Sequence, residues 1–133
     1  MQKQYLLDTN ICVHYLNGKY NLNHKIDSVG LSNCYISEIT VAELIFGAEN
    51  SGKIAENRKR VNDFQSQIAI IPIFNCLDFY GREKVRLRKQ GTPVDEFDLL
   101  IGVTAVVNEL IMVTNNVKHF EKIQNIVIED WTS

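Results

Sequence analysis

Three carboxylates and an amide stand where short apolar runs give way to polar chain. They are Asp8 in Leu6-Leu7-Asp8-Thr9-Asn10, Glu43 in Ile39-Thr40-Val41-Ala42-Glu43-Leu44, Asp98 ahead of Leu99-Leu100-Ile101, and Asn116 after Val113-Thr114-Asn115. Gathered in one pocket, the three acids would repel: at about 4–5 Å and an effective dielectric near ~20, each pair costs on the order of 4 kcal/mol. Either protons return, with raised pKa values, or a divalent cation neutralises the cluster. Carboxylates and an amide are all hard oxygen donors, which suit Mg²⁺ or Mn²⁺ rather than zinc. Such a site activates water and stabilises charge on a phosphoryl transition state. The chemistry this pattern offers is metal-assisted cleavage of a phosphate ester.

Each residue also has an ordinary structural role. Asp8 at a strand-to-helix junction is an N-cap. Glu43 completes a capping box with Thr40, and Asp98 complements a helix dipole. Asn115-Asn116 makes a turn, and Ser37 and Thr114 are turn formers as readily as residues that orient a ligand or water. What separates the two readings is whether the fold brings the set to one edge.

Five runs rich in aliphatic and aromatic residues read as strands: Tyr5–Leu7, Cys34–Ile36, Ile68–Ile73, Leu110–Val113 and Ile126–Ile128. They do not alternate apolar with polar, which predicts burial on both faces. Helical stripes lie between them. Val41, Leu44, Ile45 and Ala48 form one, with Thr40 as its N-cap; Ile54, Val61, Phe64 and Ile68 form a second; Leu77, Tyr80 and Leu87 form a third. The stretch from Asp95 to Glu109 is apolar nearly all round and reads as a buried helix with Asp95 as its cap. Strands alternating with helices predict a parallel α/β sheet covered on both faces. Ligands bind such sheets at the carboxyl ends of the strands, where Asp8, Ser37, Asn115 and Asn116 fall.

The chain has 133 residues, 45% hydrophobic and 23% charged, with 14 Lys+Arg against 16 Asp+Glu. A net charge of −2 argues against a chain-wide electrostatic grip on nucleic acid but leaves local patches open. Arg82, Lys84, Arg86, Arg88 and Lys89 face one acid, Glu83, in a single run. On a helix Arg82, Arg86 and Lys89 share a face and are candidates for phosphate contact. Lys53, Arg58, Lys59 and Arg60 form a second basic group. Both groups are equally read as solvated faces.

Cys12, Cys34 and Cys76 include no CxxC pair, which excludes a zinc cluster or disulfide scaffold of the usual spacing. They read as buried, reduced thiols of a cytoplasmic protein. No apolar run approaches the roughly 18 residues that span a bilayer. His14, His24 and His119 raise a metal-free mechanism with two imidazoles. No second histidine has a sequence reason to face His119, and His14 reads as a packed residue.

The chain resembles the PIN-domain ribonucleases, and within them the VapC toxins of prokaryotic toxin–antitoxin pairs. The resemblance rests on Leu6–Asn10, on Ile39–Leu44 with Gly47-Ala48, and on Gly91-Thr92-Pro93 running into Asp98–Ile101. Val113–Asn116 with Phe120 and the closing Ile128–Trp131 complete it, in order along the whole chain. It implies a single PIN domain over residues 1–133, a three-layer α/β/α sandwich with a five-stranded parallel sheet. It also implies Mg²⁺-dependent endonucleolytic cleavage of RNA, with Mn²⁺ as a substitute, and places the family's central acids on Asp8, Glu43 and Asp98. Asn116 stands where many PIN domains carry a fourth acid, leaving one charge fewer for a second metal. Asp95-Glu96 also departs from the family pattern and reads as feeding the helix N-terminus.

The resemblance further implies an RNA substrate, a VapB-like antitoxin partner and a homodimer. Ile45, Phe46, Phe79 and Tyr80 are interface candidates that core packing explains as well. The rival in another class is a PIN-like domain that binds RNA or a partner without cutting. Haloacid-dehalogenase-like phosphatases need a second Asp where Asn10 stands. Receiver domains need a paired acid near the first strand and a lysine after the last, and neither is present.

Overall fold

Residues 2–133 are described by a computed structural model. The elements run β1 (Tyr5–Leu7), α1 (Thr9–Leu16), α2 (Leu22–Val29), β2 (Cys34–Ser37), α3 (Glu38–Glu49), α4 (Ile54–Gln67), β3 (Ala69–Ile71), α5 (Leu77–Lys89), α6 (Glu96–Val107), β4 (Ile111–Val113), α7 (Val117–Phe120) and β5 (Ile128–Glu129). The five strands form one parallel sheet in the order β3-β2-β1-β4-β5, so the expected three-layer α/β/α fold is present. Tyr5 on the central strand lies beside Cys34 on one side and Ile111 on the other.

Alternation along β1 divides the core. Tyr5 and Leu7 point to one face, with Cys34, Ile36 and Val113 and the buried stripes of α1 to α4. Leu6 points to the other face, with Met112 and the buried residues of α5, α6 and α7. Successive strand side chains must take opposite faces, so a three-residue strand buried throughout needs helices on both. The three cysteines are free and buried, as expected.

Three expectations fail for identifiable reasons. β5 runs Ile128–Glu129 rather than Ile126–Ile128 and is only half-buried, because it is an edge strand. β3 is not buried: Ala69 and Ile70 are exposed and Ile71 half-buried, because β3 is an edge strand. Helix α3 does not start at Thr40. Ser37 is its N-cap and accepts from the Ile39 N–H at 3.0 Å, while Thr40 is buried in the first turn. The proposed Thr40–Glu43 capping box therefore does not form, which leaves the Glu43 carboxylate for another partner.

Gly102 lies at the contact of α6 with the segment that follows β4. A Cβ there would meet the ends of the Ile123 and Phe120 side chains, so a larger residue would require them to shift. Asp98 and Gly102 are one helical turn apart on the same face. On that face of α6, His119 of α7 lies beside Asp98.

Candidate active site

At the carboxyl ends of β1 and β4, a pocket of about 180 Å³ is lined by Asp8, Thr9, Asn10, Glu43, Asp98, Ile101, Asn116 and His119. The four polar residues singled out by sequence are therefore brought to one cavity from four elements. β1 delivers Asp8 by ending on it, the first turn and a half of α3 delivers Glu43, the N-terminal turn of α6 delivers Asp98, and the turn after β4 delivers Asn116.

Asp8 is the fixed point. It is buried, and its Oδ1 accepts from the Asn10 N–H at 2.5 Å and the Ile11 N–H at 3.4 Å, capping α1. Its Oδ2 accepts from Thr114 Oγ1 at 2.5 Å. Thr114 is itself buried and accepts from the Asn116 N–H at 2.9 Å, so one hydroxyl couples the strand-end aspartate to the β4 turn. Burial pushes the Asp8 carboxyl above the usual carboxylate range, against the pull of the Thr114, Asn10 and Ile11 donors and the His119 charge. The structural and functional readings of Asp8 are compatible: the same residue caps a helix and faces the pocket.

Asp98 is about a quarter exposed and lies 3.2 Å from His119 Nδ1 through its Oδ2. Burial raises its pKa, His119 opposes that shift, and the charges of Asp95 and Asp8 add to it. Glu43 Oε1 accepts from Thr9 Oγ1 at 2.6 Å. Thr9 Oγ1 also lies 3.0 Å from Thr40 Oγ1. A hydroxyl has one proton, so with Thr9 donating to Glu43, Thr40 donates to Thr9. Buried Thr40 thus orients Thr9, and Thr9 holds Glu43.

Among the described residues, no three His, Cys, Asp or Glu side chains already stand close enough to cage a metal ion. The donor chemistry fits a hard cation nonetheless. Three carboxylates and the Asn116 amide face the pocket, with the His119 ring beside Asp98, and both Asp8 and Asp98 have pKa values raised by an environment that a cation would relieve. Asp8 and Asp98 are the residues placed to hold one, with Glu43 drawn towards Thr9 at the side.

The basic run is used differently from its count. Arg82 and Lys89 are exposed on α5, but Arg86 is bound to Glu83 through Nε at 2.7 Å and Nη2 at 2.5 Å. Glu83 is only 1% exposed and also accepts from the Gln124 N–H at 2.6 Å. Arg86 Nη2 donates in turn to the Lys122 carbonyl at 2.8 Å. None of Arg82, Arg86 and Lys89 lines the carboxylate pocket. Lys84 pairs with Glu96, and Arg58 and Lys59 pair with Glu49 and Asp63. Asp95 sits at the α6 N-cap without a side-chain cap bond. His14 packs edge-on against Tyr20, as expected of a packed residue.

Sequence reasoning missed Thr9, whose signal was a hydroxyl next to Asp8. His119 was weighed only as half of a two-imidazole pair; its partner is Asp98 instead, and its place three residues after Asn116 was the signal.

The profile of the PIN-domain family matches residues 5–126. Over 133 aligned residues the chain is 35% identical to "Ribonuclease VapC2" of Rickettsia felis, spanning 96% of this chain and 97% of that one. It is 34% identical to the "tRNA(fMet)-specific endonuclease VapC" of Salmonella typhimurium, spanning 96% and 98%. A crystal structure of DNA-bound VapBC from Salmonella typhimurium superposes with a TM-score of 0.90 at 32% identity, covering 97% of this chain and 98% of that one.

Proposed function

The chain belongs to the PIN-domain family as a VapC-type member, and from that premise we propose that it is a Mg²⁺-dependent endoribonuclease acting as the toxin of a toxin–antitoxin pair. The observation that carries this reading is the pocket itself: Asp8, Glu43, Asp98 and Asn116 line one small cavity, and each acid has a defined local partner. When bound, Mg²⁺ supplies a nucleophilic water at neutral pH and positive charge beside the phosphoryl oxygens, and Mn²⁺ substitutes for it.

The protein residues divide the remaining work. Asp8, buried, and Asp98, a quarter exposed, would hold the cation between them. Thr114 fixes the Asp8 carboxylate, and Thr9 holds Glu43 through one oxygen at the edge of the cavity, leaving the other to take up a proton. Asn116 offers a neutral amide for a phosphate oxygen. A pocket of about 180 Å³ has room for the scissile phosphate and its water but not for a nucleoside. RNA is the substrate in this reading, a VapB-like antitoxin is the partner, and the active form is a cytoplasmic homodimer.

The test is cleavage of total RNA by the wild type and by Asp98→Asn, in Mg²⁺, in Mn²⁺ and in chelator. The expected result is metal-dependent cutting that leaves 5′-phosphate and 3′-hydroxyl ends, lost in Asp98→Asn with unchanged circular dichroism. Chelator-resistant cutting, or equal activity in Asp98→Asn, refutes the metal mechanism. Absence of cutting on any RNA transfers the weight to a binding module.

A further inference from the structure

A second cavity adjoins the carboxylate pocket. It measures about 520 Å³ against about 180 Å³, and the two share Asp98 and His119 as a common wall. Its far sides are the Thr92–Asp95 turn and the cations Lys118 and Lys122. The size difference matters, because sites for nucleotide-sized ligands occupy about 300–1,000 Å³. The larger cavity falls within that range and the carboxylate pocket below it.

Charge points the same way. Arg86 is occupied by Glu83 and Lys84 by Glu96. Lys118 and Lys122 are exposed and, among the described residues, make no ion pair. They line the cavity that adjoins the carboxylate site, whereas Arg82 and Lys89 line neither cavity. Between the two cavities the His119 side chain is 59% exposed, with Nδ1 turned to Asp98. That leaves much of a flat ring open to a base.

We propose that this second cavity seats the nucleotide next to the scissile phosphate of a single-stranded RNA, with Lys118 and Lys122 on the flanking phosphates and the His119 ring against the base. The assignment rests on the carboxylate pocket being the RNA-cutting site. Asp95 and Asp98 also line this cavity and repel phosphate, which favours a backbone path along the lysines.

The experiment measures binding in chelator of a fluorescein-labelled, short single-stranded RNA of mixed sequence, by anisotropy over a range of salt. The proteins are the wild-type chain, K118A/K122A and R82A/K89A, with cleavage assayed in parallel in Mg²⁺. Each lost phosphate contact on a single strand removes about 0.7 from the slope of log K against log salt. K118A/K122A is expected to lower the slope by about 1.4 and R82A/K89A to leave it unchanged. His119→Ala should weaken binding about tenfold, and His119→Phe, which keeps a ring, should restore it. If the wild type cuts and binds RNA but K118A/K122A keeps the wild-type slope, the groove assignment falls alone. If R82A/K89A carries the loss instead, the strand lies along α5 and the assignment is equally overturned. If the wild type neither binds nor cuts, the ribonuclease reading falls and the groove with it.

Discussion

Truncating Arg86 to alanine would strand a buried carboxylate. Glu83 is 1% exposed and takes two hydrogen bonds from a guanidinium that is itself 31% exposed. Removing one partner of a buried ion pair costs about 3–5 kcal/mol, and bonds between charged groups about 1.5–3 kcal/mol each. Because nearly a third of Arg86 already meets solvent, water can enter the vacated space, and the lower end applies: about 3 kcal/mol. With a urea m-value near ~2 kcal/mol/M, the unfolding midpoint should fall by about 1.5 M. Glu83→Leu combined with Arg86→Ala removes the stranded charge and leaves the Gln124 N–H and the Lys122 carbonyl without these partners but no buried anion, so the double variant should be more stable than Arg86→Ala alone.

The pH dependence supplies a second readout. Arg86, then the Gln124 N–H, hold the Glu83 carboxyl below the usual glutamate range against the effect of burial. A depressed folded-state value means that the unfolded chain binds more protons. The pair's contribution is therefore present at neutral pH and lost as pH falls through the ordinary value of about 4.3 towards the lower folded one. The gap between wild type and Arg86→Ala should begin to narrow above the ordinary value, where the stranded carboxyl of the variant takes up a proton, and go on narrowing below about pH 4 as the wild-type pair is lost. A loss under about 1 kcal/mol, the figure for surface pairs, would refute the buried-anion reasoning. So would an Arg86→Ala protein of wild-type stability whose RNA binding loses salt dependence, since Arg86 would then be a phosphate contact.

Thr9→Val should release Glu43 and slow cleavage about tenfold or more, the worth of a hydrogen bond to a charged group. Thr9→Ser, which keeps the hydroxyl, should restore the rate, and single-turnover cleavage in Mg²⁺ compares the two. Ser37→Ala should cost about 1 kcal/mol through loss of the α3 cap, lowering Tm by about 4 °C in a thermal melt. An unchanged Tm would return the cap to Thr40.

The sheet was legible because its signal is local. Tyr5–Leu7 and Ile111–Val113 are apolar without alternation, and only a strand covered on both faces accommodates that. The error at β3 has the same origin. Ala69-Ile70-Ile71 has the composition of a central strand, but whether a strand lies at the edge depends on the order of the whole sheet. The α3 cap was misplaced because Ser37 and Thr40 are both good caps, and the strand-to-helix corner selects the one that ends β2. At the site, Asp8, Glu43, Asp98 and Asn116 were legible as strand-end and first-turn polar residues. The bonds that hold them were not, because Thr114 to Asp8 spans 106 positions and Thr9 to Glu43 spans 34.

The charge count shows what folding adds to a sequence reading. A run of five cations against one acid on α5 reads as a basic face, but two of the five are already neutralised by carboxylates, Glu83 within the run and Glu96 beyond it. The Glu83–Arg86 pair also fastens α5 to the segment at Lys122 and Gln124, which follows directly on the helix that bears Lys118 and His119. The arginine that sequence spacing aims at RNA instead fixes the wall on which other cations stand. A near-zero net charge is thus compatible with a nucleic-acid partner, because what a phosphate meets is the set of charges left unpaired beside the acidic pocket. Arg86→Ala should accordingly disturb RNA binding only as far as it loosens that wall, leaving the salt slope itself in place.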